Sequence, residues 1–320
     1  MILITGINGE MGHALISKLH DSKSQKIVGL DIKPPNTKIK TLLHNSYVGD
    51  IRDNDLIEKI FHENQIDTVY HLAAILSTKA ESIPFLAHQI NVDGFLNLMK
   101  QIIQKGELVK FFFPSSIAVY TINNDINYPI TEEEFDSPNN IYGCNKLYCE
   151  KLGQYFSEYS NQNYIDFRSI RFCGIISAET LPQGGTSDYA PEMIHNAFQN
   201  KNYSCFVGPE SCIPFMVMPD AINAIIKLME TDKKQLKKTT YHIQAFNPTV
   251  EDIYKKVVSI FPDFKLDYII NDKRQNLINS WPSNLNQTAA INDWGWNPKY
   301  NFDSAFDEYL IPNIQKKYKK

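Results

Sequence analysis

The feature that most constrains the fold is a glycine-rich turn directly after the first apolar run of the chain. Residues 1–5 read MILIT, and the following stretch, TGINGEMGHALISKL, carries Gly6, Gly9 and Gly12 and opens an amphipathic helix. Glycines in such a turn permit a tight bend and let backbone amides approach a pyrophosphate, which then rests on the positive end of the helix. This context predicts a strand–turn–helix unit that binds a dinucleotide.

Strand-like and helix-like stretches alternate through the first half of the chain. Apolar runs at 26–31, 68–74, 110–116 and 165–176 are separated by stretches such as NDLIEKIFHENQ, in which apolar residues recur every three or four positions. Strands that are apolar throughout and separated by helices indicate a parallel sheet covered on both faces. The sequence therefore predicts an α/β protein with a doubly wound parallel sheet of the Rossmann type.

This regularity weakens after residue 176, where turn-rich text surrounds shorter elements. We expect residues 1–176 to form the dinucleotide-binding domain. Residues 177–320 should form a smaller α/β substrate-binding domain that closes over it, with some elements returning to the first domain and a cleft between the two. Residues 274–298 are rich in Asn and Trp, and we expect an irregular surface element there.

Composition excludes several classes of partner. The 320 residues are 43% hydrophobic and 21% charged with a net charge of −4, so neither nucleic acid nor an anionic membrane is expected to bind. Five cysteines without a C-x-x-C pair predict free thiols in a reducing compartment. No apolar run reaches the ~18 residues of a membrane span, and a strand that starts at Met1 leaves no room for a signal peptide. We expect a cytoplasmic protein.

The expected cofactor contacts begin in the glycine turn. Asp31 ends the second strand-like run, 19 residues beyond Gly12, where it could accept hydrogen bonds from an adenosine ribose and repel a 2′-phosphate, which favours NAD over NADP. Asp50 and Ile51 should lie near the adenine, although Asp50 could instead cap the following helix. The other residues expected at the cofactor are Asn8, Glu10 and Met11 in the turn and Leu72, Ala73 and Ala74 after the run at 68–74.

Reactive side chains follow the next strand and open a helix. Ser115 and Ser116 end a strongly apolar run, and residues 141–146 read IYGCNK. Tyr142 and Lys146 are four residues apart and therefore share one face of the helix. An ammonium beside a phenol can lower the phenol pKa and make it a general base. The alternative is a solvated lysine beside a half-buried tyrosine.

The glycine turn, the serine and the Y-x-x-x-K motif together resemble the extended short-chain dehydrogenase/reductase family over nearly the whole chain. The resemblance implies that Tyr142 is the general acid/base, that Ser116 orients the substrate oxygen, and that Lys146 holds the nicotinamide ribose and lowers the pKa of Tyr142. Asn91 matches the family asparagine that positions the lysine through water, but it could equally be a surface amide.

Within that family, the stretches SIAVY, RSIRFCGIIS, GGTSDYAPEMIHNAF and SWP…DWGW resemble the L-threonine 3-dehydrogenases. The implied reaction oxidises the β-carbon of L-threonine with NAD to give 2-amino-3-ketobutyrate. The implied substrate contacts are Ser77, Ser116 and Tyr142, the backbone amides of Gly184 and Gly185, the Thr186 hydroxyl, and Trp281 as a residue that closes the cleft. Trp281 could equally be a core tryptophan, and the two glycines could simply form a flexible turn. Asp188 is expected to cap the helix that follows.

Two other functions stay open. One is a nucleotide-sugar 4-epimerase or dehydratase, although Lys201 is the only Lys or Arg between Ile176 and Asp220 to meet a diphosphate. The other is a non-catalytic NAD sensor, which would not need the Ser–Tyr–Lys set. The resemblance further implies a homodimer and, as a downstream partner, a 2-amino-3-ketobutyrate CoA ligase. No metal is expected in the site.

Overall fold

A seven-stranded parallel sheet forms the centre of the computed structural model, which describes residues 1–21, 25–122, 126, 128–161, 163–182 and 185–318. The strands in chain order are β1 (Ile2–Thr5), β2 (Ile27–Asp31), β3 (Asn45–Val48), β4 (Thr68–His71), β5 (Val109–Ser116), β6 (Ile165–Phe172), β7 (Gly174–Ile176), β8 (Tyr203–Cys205), β9 (Phe215–Val217), β10 (Thr240–Ile243) and β11 (Leu266–Tyr268). The sheet order is β10-β6-β5-β4-β1-β2-β3, and every pairing in it is parallel. The predicted doubly wound fold is confirmed.

Helices connect these strands and cover both faces of the sheet. They are α1 (Glu10–Asp21), α2 (Thr37–Lys40), α3 (Asn54–Glu63), α4 (Ser77–Ser82), α5 (Pro84–His88), α6 (Gly94–Lys105), α7 (Ile141–Gln154), α8 (Tyr189–Phe198), α9 (Met218–Glu230), α10 (Val250–Ile260), α11 (Asp272–Asn279), α12 (Thr288–Trp294), α13 (Phe302–Ser304) and α14 (Ile311–Tyr318). Wider π-type turns at Gln89–Asp93, Tyr155–Tyr159 and Ala305–Leu310 continue α5, α7 and α13, and short 3₁₀ turns lie at Ile117–Val119 and Lys233–Gln235. None of the described helices is long and apolar enough to cross a membrane.

The apolar core lies on both faces of the sheet because successive side chains of a strand point to opposite faces. On β5, Phe111 and Phe113 pack on the face covered by α3 and α6, whereas Phe112 packs on the other face with α1 and α9. All three rings are buried. This two-sided burial explains why the strands are apolar throughout, and it places their carboxyl ends at one common edge.

The apolar run 165–176 is not one strand. β6 ends at Phe172, and β7 pairs with β9 in a separate two-stranded sheet instead of continuing in the main one. A second pair joins β8 to β11. In the other direction, β10 comes from the second half of the chain and pairs with β6 in the main sheet. The chain thus leaves the main sheet at Cys173 and returns to it at Thr240.

The expectation of an irregular surface element at 274–298 is wrong. This part of the chain carries most of α11 and all of α12. Trp281, Trp294 and Trp296 are all buried, at 8%, 4% and 4% exposure. The frequent Asn residues obscured a helical pattern whose apolar members pack into the same core as α8 and α9.

Candidate active site

The glycine turn has the close backbone approach that its sequence predicts. Gly6 has a φ of +74°, and a Cβ added there would lie 2.7 Å from the backbone nitrogen of Ala73. A Cβ on Gly12 would lie 2.5 Å from the carbonyl oxygen of Gly6. The turn therefore packs directly against the end of β4, and its Cβ-free surface together with the start of α1 suits a pyrophosphate.

Asp31 braces this turn from the end of β2. Its carboxylate accepts hydrogen bonds from the backbone nitrogen of Asn8 at 2.9 Å and from that of Lys33 at 3.1 Å. A carboxylate offers about four lone-pair sites, so these two bonds leave capacity for the hydroxyls of a ribose. The residues around the turn therefore fit an adenine dinucleotide.

Asp50 and Ile51, expected near the adenine, both make contacts within the protein. Asp50 forms an ion pair with Arg52 at 2.7 Å, and the Arg52 hydrogen bonds lower the pKa of this carboxyl. It does not cap the next helix, because Asp53 does so through a bond from the backbone nitrogen of Leu56. Ile51 is buried, with its side chain against Gly94.

Asn91 is not a surface amide. It is 3% exposed, and its side chain accepts from the Ile75 nitrogen at 2.7 Å and donates to the Ile75 oxygen at 3.0 Å. It therefore fixes the segment after β4, one wall of the cleft. The predicted link to Lys146 through water stays a prediction.

A cavity of about 360 Å³ at the carboxyl edge of the sheet brings most of the predicted residues together. Its lining includes, of those predicted, Gly6, Gly9, Glu10, Met11, Gly12, Leu72, Ala74, Ser77, Ser116, Tyr142, Lys146, Gly185, Thr186 and Trp281. Asn8 lines an adjoining cavity that shares Gly9 and Glu10. Asp31, Asp50, Ile51, Ala73 and Asn91 are outside the lining of both, and Gly184 lies outside the described residues.

The N-terminus of helix α7 is held in place by residues that were not predicted as functional from the sequence. Asn140 caps it by accepting from the Gly143 nitrogen at 2.7 Å and donates to the Ala118 oxygen at 3.1 Å. A Cβ on Gly143 would overlap that same Ala118 oxygen. Glu81 accepts from the Ile141 nitrogen at 2.8 Å. The cap was detectable, because an Asn directly before a helical run is a helix-start signal.

The Lys146 ammonium is buried under the cleft. It donates to the Pro114 oxygen at 2.6 Å and lies 4.4 Å from the centroid of the Phe113 ring and 5.4 Å from that of Tyr142. Burial lowers its pKa to about 8. The expected lowering of the Tyr142 pKa is not observed, because burial raises this pKa well above its ordinary value.

The substrate side of the cavity is formed by two loops that meet. The Ser77 and Thr186 hydroxyls lie 3.2 Å apart. The Gly185 amide, predicted to bind a carboxylate, already donates to Asp188 at 2.7 Å. Asp188 stands at the first position before α8 but makes no side-chain cap bond to that helix. The Trp281 ring is buried at the cavity wall.

Comparison with known proteins shows the family of the chain. Residues 2–243 match the model of the NAD dependent epimerase/dehydratase family. An uncharacterized epimerase/dehydratase of Staphylococcus saprophyticus is 32% identical over 321 residues, covering 99% of this chain and 98% of the relative. The chain therefore belongs to the NAD-dependent epimerase/dehydratase family, and an NAD-dependent oxidoreductase that binds NAD(H) is supported.

Among solved structures, the chain is similar to L-threonine dehydrogenases. A monomeric L-threonine 3-dehydrogenase from a metagenome is 34% identical, with 99% of each chain covered and a TM-score of 0.89. The L-threonine dehydrogenase of Clostridium difficile is 30% identical, covering 99% of this chain and 98% of that one, with a TM-score of 0.91. The resemblance inferred from the sequence motifs is confirmed at this level.

Proposed function

We propose that the protein is an NAD-dependent L-threonine 3-dehydrogenase that oxidises the β-carbon of L-threonine to give 2-amino-3-ketobutyrate. The observation that carries the proposal is that Ser116, Tyr142 and Lys146 line the same small cavity as the glycine turn and the Ser77–Thr186 hydroxyl pair. The similar solved structures bear this enzyme's name, which supports the choice of substrate.

Tyr142, Ser116 and Lys146 would each have a separate role in the transfer of the substrate proton. Tyr142 would take the proton of the threonine β-hydroxyl at its phenolic oxygen, and Ser116 would hold the substrate oxygen by a hydrogen bond. The Lys146 ammonium stabilises the tyrosinate and would contact the nicotinamide ribose. NAD, held by the glycine turn and Asp31, would accept the hydride.

A small zwitterion suits the rest of the cavity. The hydroxyls of Ser77 and Thr186 can turn toward a carboxylate, since either can donate. Trp281 lines the wall of the cavity, where its ring would help to exclude water from the reaction. Among the described residues that line the cavity, Lys146 is the one Lys or Arg, so a nucleoside diphosphate would find few cations there. This observation favours threonine over a nucleotide sugar.

The test measures NADH absorbance when L-threonine and NAD are added to purified protein. A steady rise with L-threonine, but not with L-serine or L-allo-threonine, supports the proposal, and Tyr142→Phe serves as the inactive control. Tight NAD binding without any net NADH formation would overturn it. Interconversion of a UDP-sugar without added NAD would indicate the epimerase instead.

The remaining expectations are proposals as well. We propose a homodimer in the cytoplasm whose product passes to a 2-amino-3-ketobutyrate CoA ligase. Light scattering on the purified protein tests the dimer directly. A single-chain mass would contradict it, and the similar metagenome enzyme is described as monomeric.

A further inference from the structure

Helix α11 lies beside the cleft and holds two of its walls. Arg274 donates a hydrogen bond from Nη2 to the Gly185 oxygen. The next residue, Gln275, accepts from the Gly208 nitrogen at 2.6 Å and donates to the Ser211 hydroxyl at 2.8 Å. The helix ends at Asn279, two residues before Trp281 at the cavity wall. One rigid element thus joins the loop at Gly185 to the tryptophan wall.

The Arg274 guanidinium is held in a fixed place. Its central carbon lies 3.2 Å from the centroid of the Phe206 ring, and the side chain is half-buried, which lowers its pKa. The planar guanidinium can stack flat on an aromatic ring and donate from its edge at the same time, whereas a lysine ammonium has no plane to stack and no fixed donor direction. The ring therefore fixes the direction in which Nη2 points.

Gly185 is pinned from both sides. Its nitrogen donates to the Asp188 carboxylate at 2.7 Å, and its oxygen accepts from Arg274 and from the Asp188 nitrogen. A Cβ at this position would lie 2.7 Å from the Asp188 carboxylate. The next residue is Thr186, whose hydroxyl meets Ser77 in the cavity. A shift of Gly185 would therefore move the Thr186 hydroxyl.

We propose that Arg274 is a positioning residue that places the Thr186 hydroxyl for binding the substrate. It acts through Gly185 and does not line the cavity itself. Loss of the Arg274 bond should weaken ground-state binding of the amino acid. It should not move Ser116, Tyr142, Lys146 or the glycine turn. The identity of that amino acid, L-threonine, rests on the proposed function.

The test compares Arg274→Gln, Arg274→Lys and wild type with NAD bound. For Arg274→Gln we expect KM for L-threonine to rise about tenfold, with kcat and the Kd for NAD changed less than about twofold. Arg274→Lys should lie between the two, because it keeps a donor but loses the stacked plane. Hydrogen exchange at residues 186–189 should quicken in the same order.

Lys273→Gln is the matched control. Lys273 is the neighbouring cation on α11, but it is 79% exposed and 3.9 Å from Glu81, so its loss should change neither KM nor exchange. If Arg274→Gln fails to fold, Phe206→Leu removes the stacking partner and should give the same split with a smaller rise in KM.

Two results would overturn the assignment. An unchanged KM in folded Arg274→Gln would show that the Gly185 bond does not place Thr186, and a parallel rise in the NAD Kd would show a general structural role. If the wild type does not oxidise threonine, the proposed function is wrong, but the role of Arg274 can still be tested. Exchange at residues 186–189 still decides whether Arg274 holds the loop, and an unchanged rate there rejects the inference.

Discussion

The Lys146 ammonium lies 5.4 Å from the centroid of the Tyr142 ring, and both side chains line the proposed active site. Burial raises the pKa of Tyr142 and lowers that of Lys146 to about 8, because a charge in a poorly solvated site is unfavourable. A tyrosinate and an ammonium on one helix face stabilise each other. For Tyr142 to act as the proposed base, the Lys146 charge must help it to give up its proton.

Removal of the Tyr142 hydroxyl tests the base directly. Tyr142→Phe keeps the ring and deletes the proton acceptor, so kcat should fall about 10²–10⁴-fold while NAD affinity stays the same. Steady-state kinetics and NAD titration by protein fluorescence measure the two quantities. Retention of more than about a tenth of wild-type turnover would show that another group takes the proton.

The pH dependence tests the role of the lysine. If Tyr142 is the base, as proposed, turnover requires it to be deprotonated, and kcat/KM should rise with pH through an ionisation of the free enzyme. Lys146→Gln removes a positive charge near the phenol, which disfavours the tyrosinate and shifts this limb to higher pH. NAD binding should weaken as well. A profile that keeps its midpoint in Lys146→Gln would contradict the coupling.

For single residues, the sequence predicted which side chains lie together, but not their pKa shifts or their hydrogen-bond partners. The spacing of Tyr142 and Lys146 and the glycine pattern sufficed to place them at one cleft. The raised pKa of Tyr142 depends on burial among residues distant in sequence, and the bond from Gly185 to Asp188 depends on a loop conformation that its residue types do not specify.

At the scale of elements, α7 is useful to the site only because it can approach the end of β5 closely. The approach depends on Gly143, since any Cβ there would overlap the Ala118 oxygen and lie 2.8 Å from the Pro138 Cβ. Asn140 ties the same two segments together. The start of α7 is therefore fixed by the absence of a side chain at Gly143 and by the Asn140 cap.

Gly143→Ala tests whether the close approach of α7 to the end of β5 depends on Gly143, as distinct from a general effect of overpacking. We expect a loss of stability of about 1–3 kcal/mol and a fall in kcat, because the first turn of α7 and Tyr142 must move away from Ser116. Gly153→Ala on the same helix is the matched control, since its Cβ would press on the Phe167 ring away from the cleft. Equal turnover of the two folded variants would refute the argument.

Element boundaries were predictable where a pattern was local. The five strand-like runs of the first half correspond to β1, β2, β4, β5 and β6. The break at Cys173 was not predictable, since both sides of it are apolar and only pairing with β9 distinguishes β7 from β6. The return of β10 to the sheet is likewise a matter of long-range pairing.

At the scale of the whole molecule, the centre of the sheet contains a histidine that cannot take up a proton easily. His71 ends β4, is 2% exposed and lies 2.9 Å from the Thr5 hydroxyl across the β1–β4 pair. Burial, aided by the Lys146 charge, lowers its pKa to about 3. The Lys146 ammonium and His71, at the centre of the sheet, therefore interact electrostatically.

We expect this histidine to make the stability of the fold depend on pH on the acid side. An unfolded histidine takes up a proton near a pH of about 6.5, whereas folded His71 does not until about pH 3. Between these values the unfolded state binds more protons, so the free energy of unfolding must fall as the pH falls. The contribution is fully present above about pH 6.5 and is lost through this window.

His71→Gln should therefore flatten the acid side of the stability curve while lowering stability at neutral pH, because the amide does not titrate but fits the site less well. Urea unfolding between about pH 7.5 and 4.5 measures the slope, to which one buried histidine contributes at most about 1.4 kcal/mol per pH unit. His62→Gln, at an exposed position on α3, should leave the slope unchanged. If His71→Gln and wild type lose stability in parallel, His71 is protonated in the folded protein at mild acidity, and the acid sensitivity arises elsewhere in the fold.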